Sequence, residues 1–203
     1  MPGESALVGL ATWRNELPSL NGRLVTLREP VSQDLGPLAE LLSIGDATHF
    51  GLEEPVSDVA VLEMIERFAR DRASGLAVTY AITLVSSRAL VGLVQVRSLD
   101  PSFEAAEWEC TIAPASRGGG VFLEAARLAG SFVFGALGTH RLEARVLLQH
   151  GRANGALRKL GAVQEGVLRR SVRRADTYFD QVLWSLLRDD WGAHWVPIGP
   201  RVH

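Results

Sequence analysis

The sequence predicts a single α/β domain built on a mixed sheet, with its elements in the order β, αα, βββ, α, β, α, ββ. Three observations lead there. Helical and strand segments come in mixed order, with a helix between two central strands, which argues α/β or α+β. A stretch from Ala106 to Ala136 reads as a strand, a glycine-rich turn and a helix. The 203 residues suffice for one domain with a sizeable core and short tails.

Taken in order, residues 1–19 form an added arm, whose Leu7, Val8, Leu10 and Trp13 suit packing on the domain or on a second subunit. The domain proper runs from 20 to 191, and 192–203 form a tail. Gly22 opens the first strand, Arg23 to Arg28, where polar and apolar residues alternate. Ser32 or Asp34 caps a helix through Leu42, and His49-Phe50-Gly51 lies in the loop after it. Ser57 or Asp58 starts a longer helix with Val61, Met64, Ile65, Phe68 and Ala69 on one face. Val78 to Val85 and Leu90 to Arg97 form a hairpin about Ser86-Ser87-Arg88.

Glu107 to Ile112 make the next strand, and Pro114 ends it. Arg117-Gly118-Gly119-Gly120 must turn. Beyond it, Val121, Ala125, Leu128, Ala129, Phe132, Val133 and Ala136 share a helical face. His140 to Leu148 is a strand, and Gly151 to Leu160 a helix stopped at Gly161. Val163 to Arg170 and Tyr178 to Leu187 make a last hairpin. Trp191 and Trp195, followed by two prolines, begin an irregular tail.

Composition narrows the function. Hydrophobic residues make up 47% and charged residues 22%, as in ordinary globular proteins. No apolar run is long enough to span a membrane, and the acidic, non-basic start makes a poor signal peptide. The lone cysteine, Cys110, permits no internal disulfide and fits a reducing cytoplasm. A net charge of −2 provides no global field for nucleic acid. The five histidines show no metal-ligand spacing, so no metal is expected.

The glycine turn has two readings. Glycines ahead of a helix permit a tight turn. They also leave backbone N–H groups free at the positive end of the helix dipole, which suits a pyrophosphate. Neither GxGxxG nor GK[ST] is present, which disfavours a dinucleotide-binding domain and excludes a nucleotide-triphosphate loop.

The surrounding residues carry a resemblance. AEWECTIAPASRGGGVFLEAA is similar to the acyl-CoA-binding segment of the GNAT acetyltransferases, in the branch of RimJ and RimL, the N-terminal acetyltransferases of ribosomal proteins. Ala106, Glu107, Pro114, Arg117, Gly120, Glu124 and Ala125 fill the places of that pattern, while Phe122 stands where Gly or Ala is usual, so that a bulky side chain meets the phosphates or the turn. LNGRLVTLREP, RANGALRKLGAVQEGVLRRS and TYFDQVLWSLLRDDW resemble other segments of the branch. The resemblance implies a GNAT fold over roughly Leu20 to Trp191, with the two early helices walling the acceptor site. It implies acetyl-CoA as acyl donor and a primary amine, of a protein N-terminus or a small molecule, as acceptor. Two central strands would splay, admitting the pantetheine arm between Cys110–Ala113 and Val146–Gln149. The expected cofactor-binding residues are Cys110, Thr111, Ile112, Arg117, Gly118, Gly119, Gly120, Val121, Phe122, His150 and Asn154.

Direct transfer requires a neutral amine, hence a base. Glu107 and Glu109, two residues apart on a strand, point to one side, where neighbouring carboxylates raise each other's pKa; alternatively both pair with arginines. His150 stands where the branch has Asn, placed to bond the cofactor arm or protonate the leaving thiolate, or to serve as a plain loop residue. Asn154 is a polar cofactor candidate or a solvated helix residue. Tyr178 is a candidate general acid or a structural aromatic. Cys110 reads better as a small strand residue than as a nucleophile. Arg169, Arg170, Arg173 and Arg174 form a basic cluster suited to the 3′-phosphate of CoA, an acidic acceptor, RNA or solvent. A non-catalytic acyl-CoA-binding or interaction module is the rival reading, prompted by Phe122 and His150. Trp13, Trp191 and Trp195 raise the prospect of a homodimer.

Overall fold

A computed structural model describes residues 13–44, 56–174 and 176–193. Among these residues eight strands form one mixed sheet: β1 (Leu20–Asn21), β2 (Val25–Arg28), β3 (Ala77–Leu84), β4 (Leu90–Ser98), β5 (Ala105–Ile112), β6 (Arg141–Leu147), β7 (Val163–Arg174) and β8 (Thr177–Leu187). Their spatial order is β1-β2-β3-β4-β5-β6-β8-β7. Only β5 and β6 run parallel; every other pair is antiparallel. The helices are α1 (Leu35–Ile44), α2 (Asp58–Ala73), α3 (Val121–Phe132), α4 (Gly151–Leu160) and α5 (Arg188–Ala193). The expected α/β order holds. No described helix is long and apolar enough to cross a membrane.

The helices divide between the two faces. On one, α3 and α4 bury Val121, Ala125, Ala129, Leu157 and Leu160 against Val94, Trp108, Leu142 and Trp184 of the sheet. On the other, Leu38, Leu41 and Leu42 of α1 and Val61, Met64 and Phe68 of α2 cover Ala81 and Leu93 of β3 and β4. The face of α2 is as expected at Val61, Met64, Ile65 and Phe68, whereas Ala69 is exposed; Ser57 caps its N-terminus, its hydroxyl accepting the Ala60 N–H at 3.2 Å. On that second face β5 and β6 carry charged side chains.

Several boundaries differ from the sequence expectation, each for a stated reason. The opening strand is broken at Gly22–Leu24 because the carboxylate of Glu124 takes the N–H groups of Arg23, Leu24 and Val25 at 3.0, 2.6 and 2.8 Å. Past Phe132 the helix continues as a π turn, Val133–Leu137. That turn holds an extra residue, so the inward face shifts: Phe134 and Leu137 are buried, and Ala136 only partly. β7 extends to Arg174, so the arginine cluster lies on an edge strand. Its register shifts between Leu168 and Val172, where the Arg170 N–H goes to Asp180 Oδ1 at 2.8 Å.

Trp191 belongs to a short helix and not to an irregular tail. Its ring lies 5.3 Å from that of Phe134 and covers Gly130, where an added Cβ would meet the indole at 2.5 Å. The arm packs on its own domain: Trp13 and Leu17 are buried, and Trp13 meets Phe103 edge-on at 5.9 Å. Leu7, Val8, Leu10, His49-Phe50-Gly51 and Trp195 lie outside the described residues.

Candidate active site

The site follows from where β5 and β6 stop pairing. Their ladder has three rungs, Ala105↔Arg141, Ala106↔Leu142 and Glu107↔Glu143. β5 nevertheless stays paired with β4 up to Ile112, and β6 with β8 up to Leu147. The two strands therefore diverge after Glu107, and their main chains face each other across a wedge-shaped gap. It opens earlier than expected, at Trp108 instead of Cys110. Backbone amides without a ladder partner are the groups an extended amide-bearing ligand can bond. On the far side of β5, Gly92 of β4 lets the strands close up: a Cβ there would lie 2.4 Å from the Thr111 carbonyl oxygen.

The glycine turn stands at the open end of the gap. Pro114–Ser116 form one 3-10 turn, and Arg117 is extended, its Nε donating to the Ile112 carbonyl at 2.8 Å. Gly118 and Gly120 adopt φ of +93° and +87°, the left-handed region that glycine enters without strain. Gly120 caps α3 with no side-chain acceptor. The first intrahelical N–H, that of Glu124, reaches the Gly120 carbonyl. The N–H groups of Val121, Phe122 and Leu123 thus point out of the helix end toward the turn. Cβ atoms at Gly118 and Gly119 would meet nothing within 4 Å, so the turn presents bare main chain. Phe122 is turned away from it, half-buried and stacked on Trp108 at 5.9 Å and 26°. Its bulk packs the core and leaves the turn clear.

Glu107 and Glu109 do share a face, and arginines interleave with them. Glu107 lies between Arg97 and Arg145, each at 3.5 Å; Arg145 also meets Glu143 at 3.7 Å. Arg141 joins Glu143 at 2.8 Å and Glu165 at 2.5 Å, and Ser185 donates to Glu165. Arg141 and then Ser185 hold the Glu165 carboxyl down at about 2. Glu109 meets this chain of charges at its end, 4.0 Å from Arg97, and lies beyond the last β5–β6 rung. The two glutamates are therefore inequivalent: Glu107 is built into the ladder, whereas Glu109 lies on the diverging segment.

The remaining candidates separate. Cys110 packs against the main core, and burial, with the neighbouring Glu109 charge, pushes its thiol up to about 12, so it is no nucleophile. Thr111 and Ile112 line the same edge of β5. His150 caps α4, its Nδ1 accepting the Ala153 N–H at 3.1 Å. Asn154 is buried, against the expectation of a solvated residue. Its Oδ1 accepts the Trp184 indole N–H at 2.9 Å, and its amide donates toward the carbonyls of Leu147 and His150, both at 3.0 Å. With those groups engaged, it shapes the rim of the gap instead of facing a ligand. Tyr178 stands outside the gap, on the part of the hairpin beyond Gln181, where β6–β8 pairing ends; Arg173 lies over its ring at 6.0 Å. Among the described residues, no three His, Cys, Asp or Glu side chains gather as a metal site.

A wedge between diverging strands with a bare glycine turn at its mouth can take an extended ligand, and comparison with known proteins gives the family. The acetyltransferase (GNAT) domain family matches residues 24–163. This chain belongs to the GNAT acetyltransferase family. As a GNAT protein it uses acetyl-CoA and transfers the acetyl group to an amine nitrogen. It is 27% identical over 172 residues to YoaA of Bacillus subtilis (strain 168), an uncharacterised N-acetyltransferase, covering 84% of this chain and 97% of that protein. Among solved structures, it resembles the ribosomal-protein-S5-alanine acetyltransferase of Vibrio fischeri, with TM-score 0.73, 19% identity, and 86% and 98% of the two chains covered. It also resembles the spermidine N-acetyltransferase of Vibrio cholerae, determined with CoA and spermine, with TM-score 0.72, 22% identity, and 84% and 99% covered.

Sequence reasoning missed Gly92, Glu124 as a clamp, and the Arg97–Arg145–Arg141 series. Only the acid at Glu124 had a sequence signal. The others depend on which strand lies beside which.

Proposed function

We propose that this GNAT chain acetylates a primary amine with Glu109 as base. Acetyl-CoA lies with its pyrophosphate on the N–H groups of Gly118 to Val121 and its pantetheine arm between the diverging halves of β5 and β6. The observation that carries this reading is the three-rung β5–β6 ladder ending beside the uncapped N-terminus of α3. Glu109 takes a proton from the ammonium, and the neutral amine attacks the thioester carbonyl carbon; a C–N bond forms, the C–S bond breaks, CoA leaves as thiolate, and the second proton on the acetylated nitrogen passes to that thiolate or to water. Because Nδ1 of His150 accepts a hydrogen bond, a neutral ring carries its proton on Nε2. It offers that N–H to the cofactor arm, and the proposed step has no general acid. A thiol of pKa near 8.5 leaves without one.

The acceptor we favour is an α-amino group, as in the S5-alanine acetyltransferase, because its pKa of about 7.7–8.0 demands less of a base than the 10.4 of lysine. A polyamine, as for the spermidine enzyme, is the second choice. The cytoplasm is the location that a lone cysteine suits, and size-exclusion chromatography tests for a homodimer. Trp13 and Trp191, two of the residues that prompted that prospect, pack within their own chain.

Thiol release from acetyl-CoA over a panel of N-terminal peptides and polyamines tests the reading. Glu109→Gln should lower kcat by about 10²–10⁴-fold, with KM for acetyl-CoA little changed, and Glu107→Gln should cost less. Equal activity of Glu109→Gln and wild type would remove Glu109 as base. Absence of turnover with every amine would favour the acyl-CoA-binding module, although Phe122, which helped to prompt that reading, lies against Trp108.

A further inference from the structure

A second concave site lies at the opposite end of α4. That helix starts beside the open end of the gap and runs back for about 15 Å. Its last residues reach the closed end, where Leu186 of β8 pairs with Leu142 of β6. There Arg158, Lys159, Leu160 and Gly161 join Arg127 of α3, Leu186, and Asp190 and Trp191 of α5 around a cavity of about 300 Å³. That is the lower end of the size range for small-molecule sites.

The charge of this lining is unbalanced. Three cations and one carboxylate leave it two charges positive. Among the described residues none of the three cations donates to a carboxylate, although Arg158 lies over the Trp184 ring at 5.7 Å. On the opposite face of the sheet, by contrast, Arg97, Arg141 and Arg145 are all interleaved with glutamates. Arg158 and Lys159 occupy the last turn of α4, where cations offset the helix dipole. That does not account for Arg127, which comes from the middle of another helix and faces the same space. Like charges around one cavity repel unless an anion offsets them.

We propose that this cavity binds a phosphate monoester, whose charge of about −1.5 to −2 matches the lining. The phosphate meets Arg127, Arg158 and Lys159, and the apolar body rests on Leu160, Leu186 and Trp191. Such an ester has two possible sources: a free phosphorylated metabolite, or the 3′-phosphate of an acyl-CoA laid along α3. The site stands on the charge and shape of the cavity and not on acetyl transfer.

Phenyl phosphate, titrated at constant ionic strength with thermal unfolding as readout, tests it. At ten times Kd, linkage predicts a saturable rise in Tm of roughly 3–6 °C for a chain of this size. The rise should vanish in Arg127→Ala and Lys159→Ala and persist in Gly120→Glu. Both cations are exposed, so the alanine variants should melt like wild type without ligand, which separates lost binding from lost folding. No saturable rise would overturn the proposal, as would a rise lost in Gly120→Glu and kept in the alanine variants, which places the phosphate on the glycine turn. A second arm compares acetyl-CoA with its 3′-dephospho form. Equal binding of the two, with the phenyl phosphate shift adding to either, identifies a separate metabolite site. Weaker binding of the dephospho form, by the same factor as acetyl-CoA loses in Arg127→Ala, identifies the 3′-phosphate as occupant.

Discussion

Replacing Asn154 tests how the rim of the gap is held. Its amide joins three elements: the end of β6 through the Leu147 carbonyl, the start of α4 through that of His150, and β8 through the Trp184 indole. In Asn154→Leu the Trp184 N–H stays buried without an acceptor, costing about 1–3 kcal/mol, and two neutral hydrogen bonds are lost at about 1 kcal/mol each. The sum, about 3–5 kcal/mol, corresponds to a fall in Tm of roughly 6–20 °C for a chain of this size. Urea unfolding followed by far-UV circular dichroism measures it, in a cycle with Trp184→Phe and the double variant. Removing both partners leaves no orphaned donor, so the double variant should be more stable than the sum of the singles, by about 0.5–3 kcal/mol. Acetyl-CoA affinity should fall in Asn154→Leu as the Leu147–His150 rim loosens. Additivity within about 0.5 kcal/mol, or a cost of Asn154→Leu below about 1 kcal/mol, would refute the clamp.

Three further outcomes follow from other contacts. Gly130→Ala would gain about 1 kcal/mol on an open helix face, but here its Cβ meets the Trp191 ring, so it should lose about 1–3 kcal/mol by overpacking; a raised Tm would show that Trp191 does not rest there. Glu124→Ala removes the acceptor of three main-chain N–H groups, one of them partly buried, and should cost about 2–4 kcal/mol, with Glu124→Gln intermediate and equality with wild type as the refuting result. Burial pushes the Asp34 carboxyl up, but bonds from Arg28 and the Val31 N–H outweigh it and hold the group below its ordinary value. The stability this contributes is complete above the unfolded pKa of about 3.9 and is lost as pH falls through the lower folded value. The Tm difference between wild type and Asp34→Asn should therefore be widest near neutral pH and shrink from about pH 4 downward; a constant gap would remove the ion pair as its cause.

Particular residues show which features were legible in the sequence. The bounds of α4 coincide with the expectation, because Gly161 ends it in the left-handed region and the apolar spacing of Leu157 and Leu160 places it. Three successive glycines marked a turn, and two of them take positive φ. In the sequence alone Phe122 is an obstacle at the turn, because its partner, Trp108, lies on the strand before it and rotation of α3 decides whether the two rings meet. Nothing near Asn154 in sequence marks it as buried, because the indole that covers it comes thirty residues later. The break in the first strand depends on Glu124, a hundred residues away in sequence.

Taken alone, the sequence determined the order of elements, the turn that ends β5, the helix that follows it and the family to which they belong. These rest on main-chain preferences and apolar periods that act over a few neighbouring residues. The tertiary structure alone decided that β5 and β6 part after Glu107, that Glu109 and not Glu107 lies on the parted segment, and that Arg127, Arg158 and Lys159 face one cavity. Strand pairing and charge proximity arise between segments far apart in the chain, so the residues that create them carry no local mark.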